Sequence, residues 1–132
     1  MNFYLFLAIF LVIDVLLVLY VLYRRSAKKF SQQDLDFFAK EWRKILMNGD
    51  GKHSIMDADK LLNVVLKKKG FEGSVGEQLK KAQNFFSNIN DVWYAHKLRN
   101  NIAHELDVHL SPADKQKALR CFEKALKDLG AL

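Results

Sequence analysis

The sequence predicts an all-α protein: a single N-terminal transmembrane helix followed by a small antiparallel bundle of four or five helices. Three observations carry this. Residues 3–23 are apolar or aromatic apart from Asp14. The rest of the chain repeats its apolar residues at helical spacing, with no convincing period of two. Most of those helical stretches open on a Ser with an acid three residues on, or close on a glycine. The implied organisation is an anchor over residues 1–23, a basic juxtamembrane linker over 24–30 and a helical bundle over 31–132.

The first element reads FYLFLAIFLVIDVLLVLYVLY. As a helix it is roughly 30 Å long, enough to cross a bilayer core. Tyr4 at one end and Tyr20 and Tyr23 at the other suit the two interfaces. Arg24, Arg25, Lys28 and Lys29 follow at once, so the positive-inside rule puts the bundle in the cytoplasm and Met1–Asn2 outside. The anchor would lie in the cell membrane with lipid around residues 3–23. A cleaved signal peptide is the rival reading. Against it stand the missing basic n-region, an apolar stretch longer than about 15 residues, and no small-x-small site before the arginines. Asp14 lies near mid-span, where a carboxylate costs about 2.5–3.5 kcal/mol on insertion scales. It either contacts a partner helix, which could be a second copy, or is an acid tolerated on a very apolar helix. Nothing between Tyr23 and Ser31 is a strong helix breaker, so the anchor can run on into the bundle.

Ser31 with Asp34 opens the first bundle helix, whose apolar face is Leu35, Phe38, Trp42 and Ile45. It ends near Asn48–Gly51. Ser54 with Asp57 opens the second, with Ile55, Ala58, Leu62 and Val65 inward and Gly70 as its stop. Ser74 with Glu77 caps the third, which carries Val75, Leu79, Ala82 and Phe86. The fourth runs from about Asp91 to Glu105. Ser111, Pro112 and Asp114 start the last, with Ala118, Leu119, Phe122, Ala125, Leu126 and Leu129 inward and Gly130 closing it. Phe37, Phe38, Phe85 and Phe86 sit at core spacing and make no base-stacking platform.

Composition excludes several classes. One proline and six glycines exclude collagen-like and linker-rich chains, and one cysteine excludes a disulfide framework. Cys121 beside the last apolar face reads as a small buried hydrophobe. All 21 Lys and Arg follow residue 23, against 14 of the 15 acids, and this excess favours anionic partners or the acidic cytoplasmic leaflet. Lys67, Lys68 and Lys69 with Lys80 and Lys81 flank one turn. They could track an RNA backbone, or they could be lysines suited to helix ends.

Two motifs mislead. Aligning Gly51 with the invariant glycine of an EF-hand puts Leu46 at the first ligand position, where calcium needs an acid. His104-Glu105 with His109 resembles a zinc helix, but histidines five apart stand about 140° apart.

The informative stretch is Trp93 to Glu105. Val92, Ala95, Leu98 and Ile102 share an apolar arc, and Lys97, Asn101 and Glu105 a polar one. Between them lies a mixed strip of Trp93, His96, Arg99, Asn100, Ala103 and His104, suited to a groove or a subunit interface. An arginine fork holds phosphate oxygens bidentately, a histidine moves protons near neutral pH, and an asparagine orients either. Nothing in the set requires a metal or another cofactor. The alternative is structural, with Arg99 and Asn100 satisfying carbonyls at a helix end and His104 capping it.

The run Leu98-Arg99-Asn100-Asn101-Ile102-Ala103-His104 resembles the motif of the HEPN (higher eukaryotes and prokaryotes nucleotide-binding) superfamily: an Arg, a polar residue after it, and a His a few residues on. The resemblance in pattern spans about residues 31–130 and implies the family's small helical bundle. Many members are metal-independent endoribonucleases that pair two such motifs over one RNA. Carried over, Arg99 would hold the scissile phosphate, His104 would transfer a proton, Asn100 would orient both, and the RNA's own 2′-hydroxyl would attack. The resemblance thus implies a homodimer acting on RNA without a cofactor. His96 shares the strip but lies outside the motif, as an accessory candidate. Lys97 and the two lysine runs are candidate RNA-backbone contacts. Other relatives are catalytically silent and bind RNA or protein, which is the second reading. The membrane anchor departs from the family's soluble toxins.

Overall fold

The computed structural model describes residues 2–27 and 29–132. Met1 and Lys28, the latter one of the basic residues after the anchor, lie outside the described residues, as does the side chain of Arg25. Among the described residues the chain is helical without strands: α1 (Phe3–Ala27), α2 (Gln32–Met47), α3 (Gly51–Lys68), α4 (Val75–Ala82), α5 (Ile89–His104) and α6 (Pro112–Asp128), with a 3₁₀ turn at Gln83–Phe85.

α1 is long and apolar enough to cross a membrane. Its stretch Phe3–Arg24 has a mean hydropathy of 3.1 and buries nothing against the rest of the chain. It does not continue into α2. Ser31 is extended (φ −68°, ψ 159°) and caps α2. The break is made by that cap, since the hydroxyl of Ser31 accepts the Asp34 N–H and the Asp34 carboxylate accepts the Ser31 N–H in return.

The same reciprocal cap starts α4 at Ser74 with Glu77, and α6 at Ser111 with Asp114 ahead of Pro112. α3 begins earlier than its sequence suggests. Asp50 is its cap, accepting the N–H groups of Lys52 and His53. Ser54 lies fully buried inside the helix, its hydroxyl 3.1 Å from the Ile45 carbonyl and 3.0 Å from that of Asp50, which ties the end of α2 to the start of α3. α5 likewise starts earlier, capped by Asn88. α3 and α6 end alike. Gly70 (φ 95°) and Gly130 (φ 77°) take the left-handed conformation. At α3 the N–H of Gly70 then reaches Lys67 O and that of Phe71 reaches Leu66 O, and at α6 Gly130 and Ala131 repeat both bonds. This is the Schellman closure, and a side chain at those glycines would be strained.

α3 is the hub, packing on α2, α5 and α6, and α4 closes the open end between α3 and α5. The core interleaves Phe38 and Trp42 of α2, Ile55, Leu62 and Leu66 of α3, Leu79 of α4, Val92 and Ala95 of α5, and Phe122 and Leu126 of α6. Leu62 is wholly buried at the centre, and truncating it to Ala would cost about 2–5 kcal/mol. Phe38 and Phe86 are core as their spacing predicts, Phe85 is half-buried and Phe37 is exposed. Two polar latches complete the frame. Ser87 donates its N–H and its hydroxyl to Asp128, and Lys115 donates to the Asn48 carbonyl.

Candidate functional site

α5 has the three sides its sequence implies. Val92 and Ala95 are buried, with Leu98 and Ile102 packed against the core, and Lys97, Asn101 and Glu105 are exposed. The mixed strip departs from its expectation at His104, which lies apart from the rest of it, and at His96, which is buried, only 8% exposed. The reason for that burial is Asp59 of α3, itself 3% exposed, which no local pattern on α5 could reveal.

His96 places Nδ1 2.8 Å from Oδ1 of Asp59. The other oxygen of Asp59 lies 3.4 Å from Nε of Arg99, a charge contact at the long end that does not complete a hydrogen bond. Arg99 donates from Nη1 to Oδ1 of Asn100 at 3.1 Å. Nδ2 of Asn100 stands 3.3 Å from Nε2 of His96. The edge of the Trp93 ring packs on the imidazole, 5.9 Å between centroids. Three of the four candidate residues of the strip are therefore joined around one buried carboxylate.

The cluster floors an open cleft of about 580 Å³. Asp59, Lys60 and Asn63 of α3 form one wall, the start of α4 from Ser74 to Gly76 a second, and Trp93, Lys97 and Arg99 of α5 a third. Among the described residues, three cations line it against one carboxylate. The Arg99 side chain keeps about a quarter of its surface open. Among the described residues one N–H of Nη1 donates to a protein acceptor and Nε only rests beside Asp59, so the rest of the fork can take oxygens of an anion.

His104 is not part of this cluster. It is the last residue of α5, is exposed, and does not line the cleft. It lies five positions after Arg99, roughly 7.5 Å of helical rise and about 140° of turn.

The lysines divide. Lys67, Lys80 and Lys97 are exposed. Lys68 is exposed and bound to Asp34 at 2.7 Å, and Lys81 donates to the Glu72 carbonyl at 3.1 Å. Lys69 is drawn inward, with Nζ 5.3 Å from the Phe30 ring centroid and 5.5 Å from that of Phe85, and burial pushes its ammonium below the ordinary lysine range. Cys121 is buried in α6, and burial, followed by the nearby charge of Asp91, pushes its thiol up and away from the reactive thiolate.

Asp59 is the residue that sequence reasoning passed over. A signal for it existed: it falls four residues after Ile55 and three before Leu62, an acid on the apolar arc of α3, where it is not left without a cationic partner. No family model, no curated protein and no solved structure matches this chain.

Proposed function

We propose that this chain is a membrane-anchored, HEPN-like endoribonuclease that needs no metal and works as a homodimer on the cytoplasmic face of the cell membrane. α1 is the transmembrane anchor, and the basic residues after it hold the bundle inside. Arg99 holds the scissile phosphate, His104 transfers a proton and Asn100 orients both. The 2′-hydroxyl of the RNA attacks phosphorus, its proton passes to a base, and the 5′-oxygen leaves with a proton. His96 is an accessory that positions Asn100. The single observation that carries the reading is the fork of Arg99, held by Asp59 and Asn100 yet open to a cleft that also carries Lys60 and Lys97. Because Arg99 and His104 stand about 140° apart on α5, one helix face does not offer both to one phosphate, and a second copy facing the first supplies the missing group.

The test incubates the full-length chain, in detergent micelles, with varied RNAs in the presence of a chelator. Cleavage that disappears in both Arg99→Ala and His104→Ala, with helix content unchanged and each variant assayed below its own melting temperature, supports the enzyme. A confirmed dimer that cleaves none of them overturns it.

One observation favours a second reading. Arg99 already neutralises a buried carboxylate, as a purely structural arginine would. On that reading the bundle is a non-catalytic module that binds RNA or a protein at the membrane surface. Salt-dependent RNA binding without cleavage would select it.

A further inference from the structure

We infer that Asp59, His96, Asn100 and Arg99 form a ring of three hydrogen-bonded links closed by one charge contact, with one permitted arrangement of protons, and that protonating His96 breaks the ring and frees Nη1 of Arg99 for an anion in the cleft. Asp59 and His96 are thus positioning residues that set when Nη1, otherwise held by Asn100, joins the part of the fork already open to the cleft. The inference rests on Arg99 being the phosphate-holding group, as proposed above; the proton arrangement itself does not.

The arrangement follows from donor and acceptor arithmetic. A guanidinium only donates, so the Asn100 atom 3.1 Å from Nη1 must be its oxygen. The amide nitrogen therefore faces Nε2 of His96, at 3.3 Å. An amide nitrogen only donates, so Nε2 must accept and carries no proton. The ring proton of neutral His96 then sits on Nδ1, where Asp59 accepts it at 2.8 Å. Asp59 closes the circuit with its second oxygen toward Nε of Arg99. The three hydrogen-bonded links each pair a donor with an acceptor only when His96 is neutral and protonated at Nδ1, while the contact of Asp59 with Nε of Arg99 is one of charge.

A second proton on His96 lands on Nε2, opposite the amide nitrogen, and two donors meet. Asn100 can turn its oxygen toward the imidazolium, but its NH₂ group then meets Nη1, and the clash moves to Arg99. The guanidinium must leave Asn100. Among the described residues, the charged and titratable groups that line the cleft with His96 are Asp59, which it contacts, and Lys60 from α3, and Arg99 and Lys97 from its own helix. The start of α4 brings only the Ser74 hydroxyl to the cleft, and α6 contributes no lining residue. Linkage runs both ways: an anion that holds Arg99 away from Asn100 favours the protonated imidazole by the same factor.

The experiment uses the full chain, labelled with ¹⁵N-histidine, in zwitterionic detergent micelles, with His96→Gln to assign the signal. At pH 8 the His96 signals should show the proton on Nδ1 and a bare Nε2. Sulfate is the anion probe because its charge is constant between pH 5 and pH 8. Its affinity should rise at least about fivefold from pH 8 to pH 5.5, the lower end of ordinary coupling between sites, with a smaller gain in Asn100→Ala, where the link is cut. A His96 proton on Nε2, or equal sulfate affinity at the two pH values, would overturn the inference. Neither readout depends on RNA cleavage, so its failure is distinct from failure of the ribonuclease reading.

Discussion

Asp59 in α3 holds His96, 37 positions further along the chain, by a 2.8 Å contact between two side chains that are each almost wholly buried. Removing the carboxylate leaves His96 without its acceptor and Arg99 without its counter-charge. Asp59→Ala should destabilise the bundle by about 1–3 kcal/mol, the ordinary cost of leaving a buried donor such as Nδ1–H of His96 unsatisfied. Asp59→Asn keeps an acceptor for Nδ1 and should cost less. Denaturation of the full chain in micelles, followed by circular dichroism, checks both. Equal stability of Asp59→Ala and wild type would show that the contact does not hold α3 to α5.

Acid should weaken the bundle through its helix caps. A hydrogen bond from Lys68, then one from Ser31, holds Asp34 below the ordinary Asp range. The backbone N–H of Ser74 does the same for Glu77, and the Ser111 hydroxyl for Asp114. The folded values lie below the unfolded ones, so the unfolded chain binds more protons as the pH drops. The stabilisation is whole above the ordinary values of 3.8 for Asp and 4.5 for Glu, and is lost as pH falls through the lowered ones. Melting temperatures from pH 7 to pH 3 should fall over that window, and Glu77→Gln with Asp114→Asn should flatten the decline.

Lys69 and Lys67 should respond to different assays. Lys69 lies against Phe30 and Phe85, so Lys69→Ala removes stem packing and a cation–π contact. It should lower stability by about 1–2 kcal/mol. Lys67→Ala, on the surface, should leave stability alone. If the lysine run tracks RNA, it should reduce the slope of log affinity against log salt by about 0.7. Matching melting curves for Lys69→Ala and wild type would contradict the buried placement.

α1 should keep the chain in membranes through alkaline carbonate washing, and deletion of residues 2–23 should release it. A protease tag at the C-terminus should be cut only after the cells are opened. Cutting in intact cells would reverse the proposed orientation.

Local signals in the sequence were legible and distant ones were not. The caps at Ser31, Ser74 and Ser111 could be read because each is made within four residues. Ser54 with Asp57 carries the same pattern but was misread, because Ser54 is used inside α3 to hold carbonyls around the preceding turn while Asp50 does the capping. The three sides of α5 followed from its periodicity, but the burial of His96 did not, since its cause lies on another helix. Lys69 looked like its neighbours in a lysine run, and only the rings of Phe30 and Phe85 set it apart. Asp59 was visible only as an acid on an apolar arc, and its two partners emerge when α3 and α5 pack.

The chemistry of the cut ends tests the central claim most directly. RNA incubated with the full chain in chelator should acquire 2′,3′-cyclic phosphate and 5′-hydroxyl ends, because the attacking oxygen is the RNA's own. Ends carrying 3′-hydroxyl and 5′-phosphate, or intact RNA after incubation with a confirmed dimer, would contradict a ribonuclease built on Arg99 and His104.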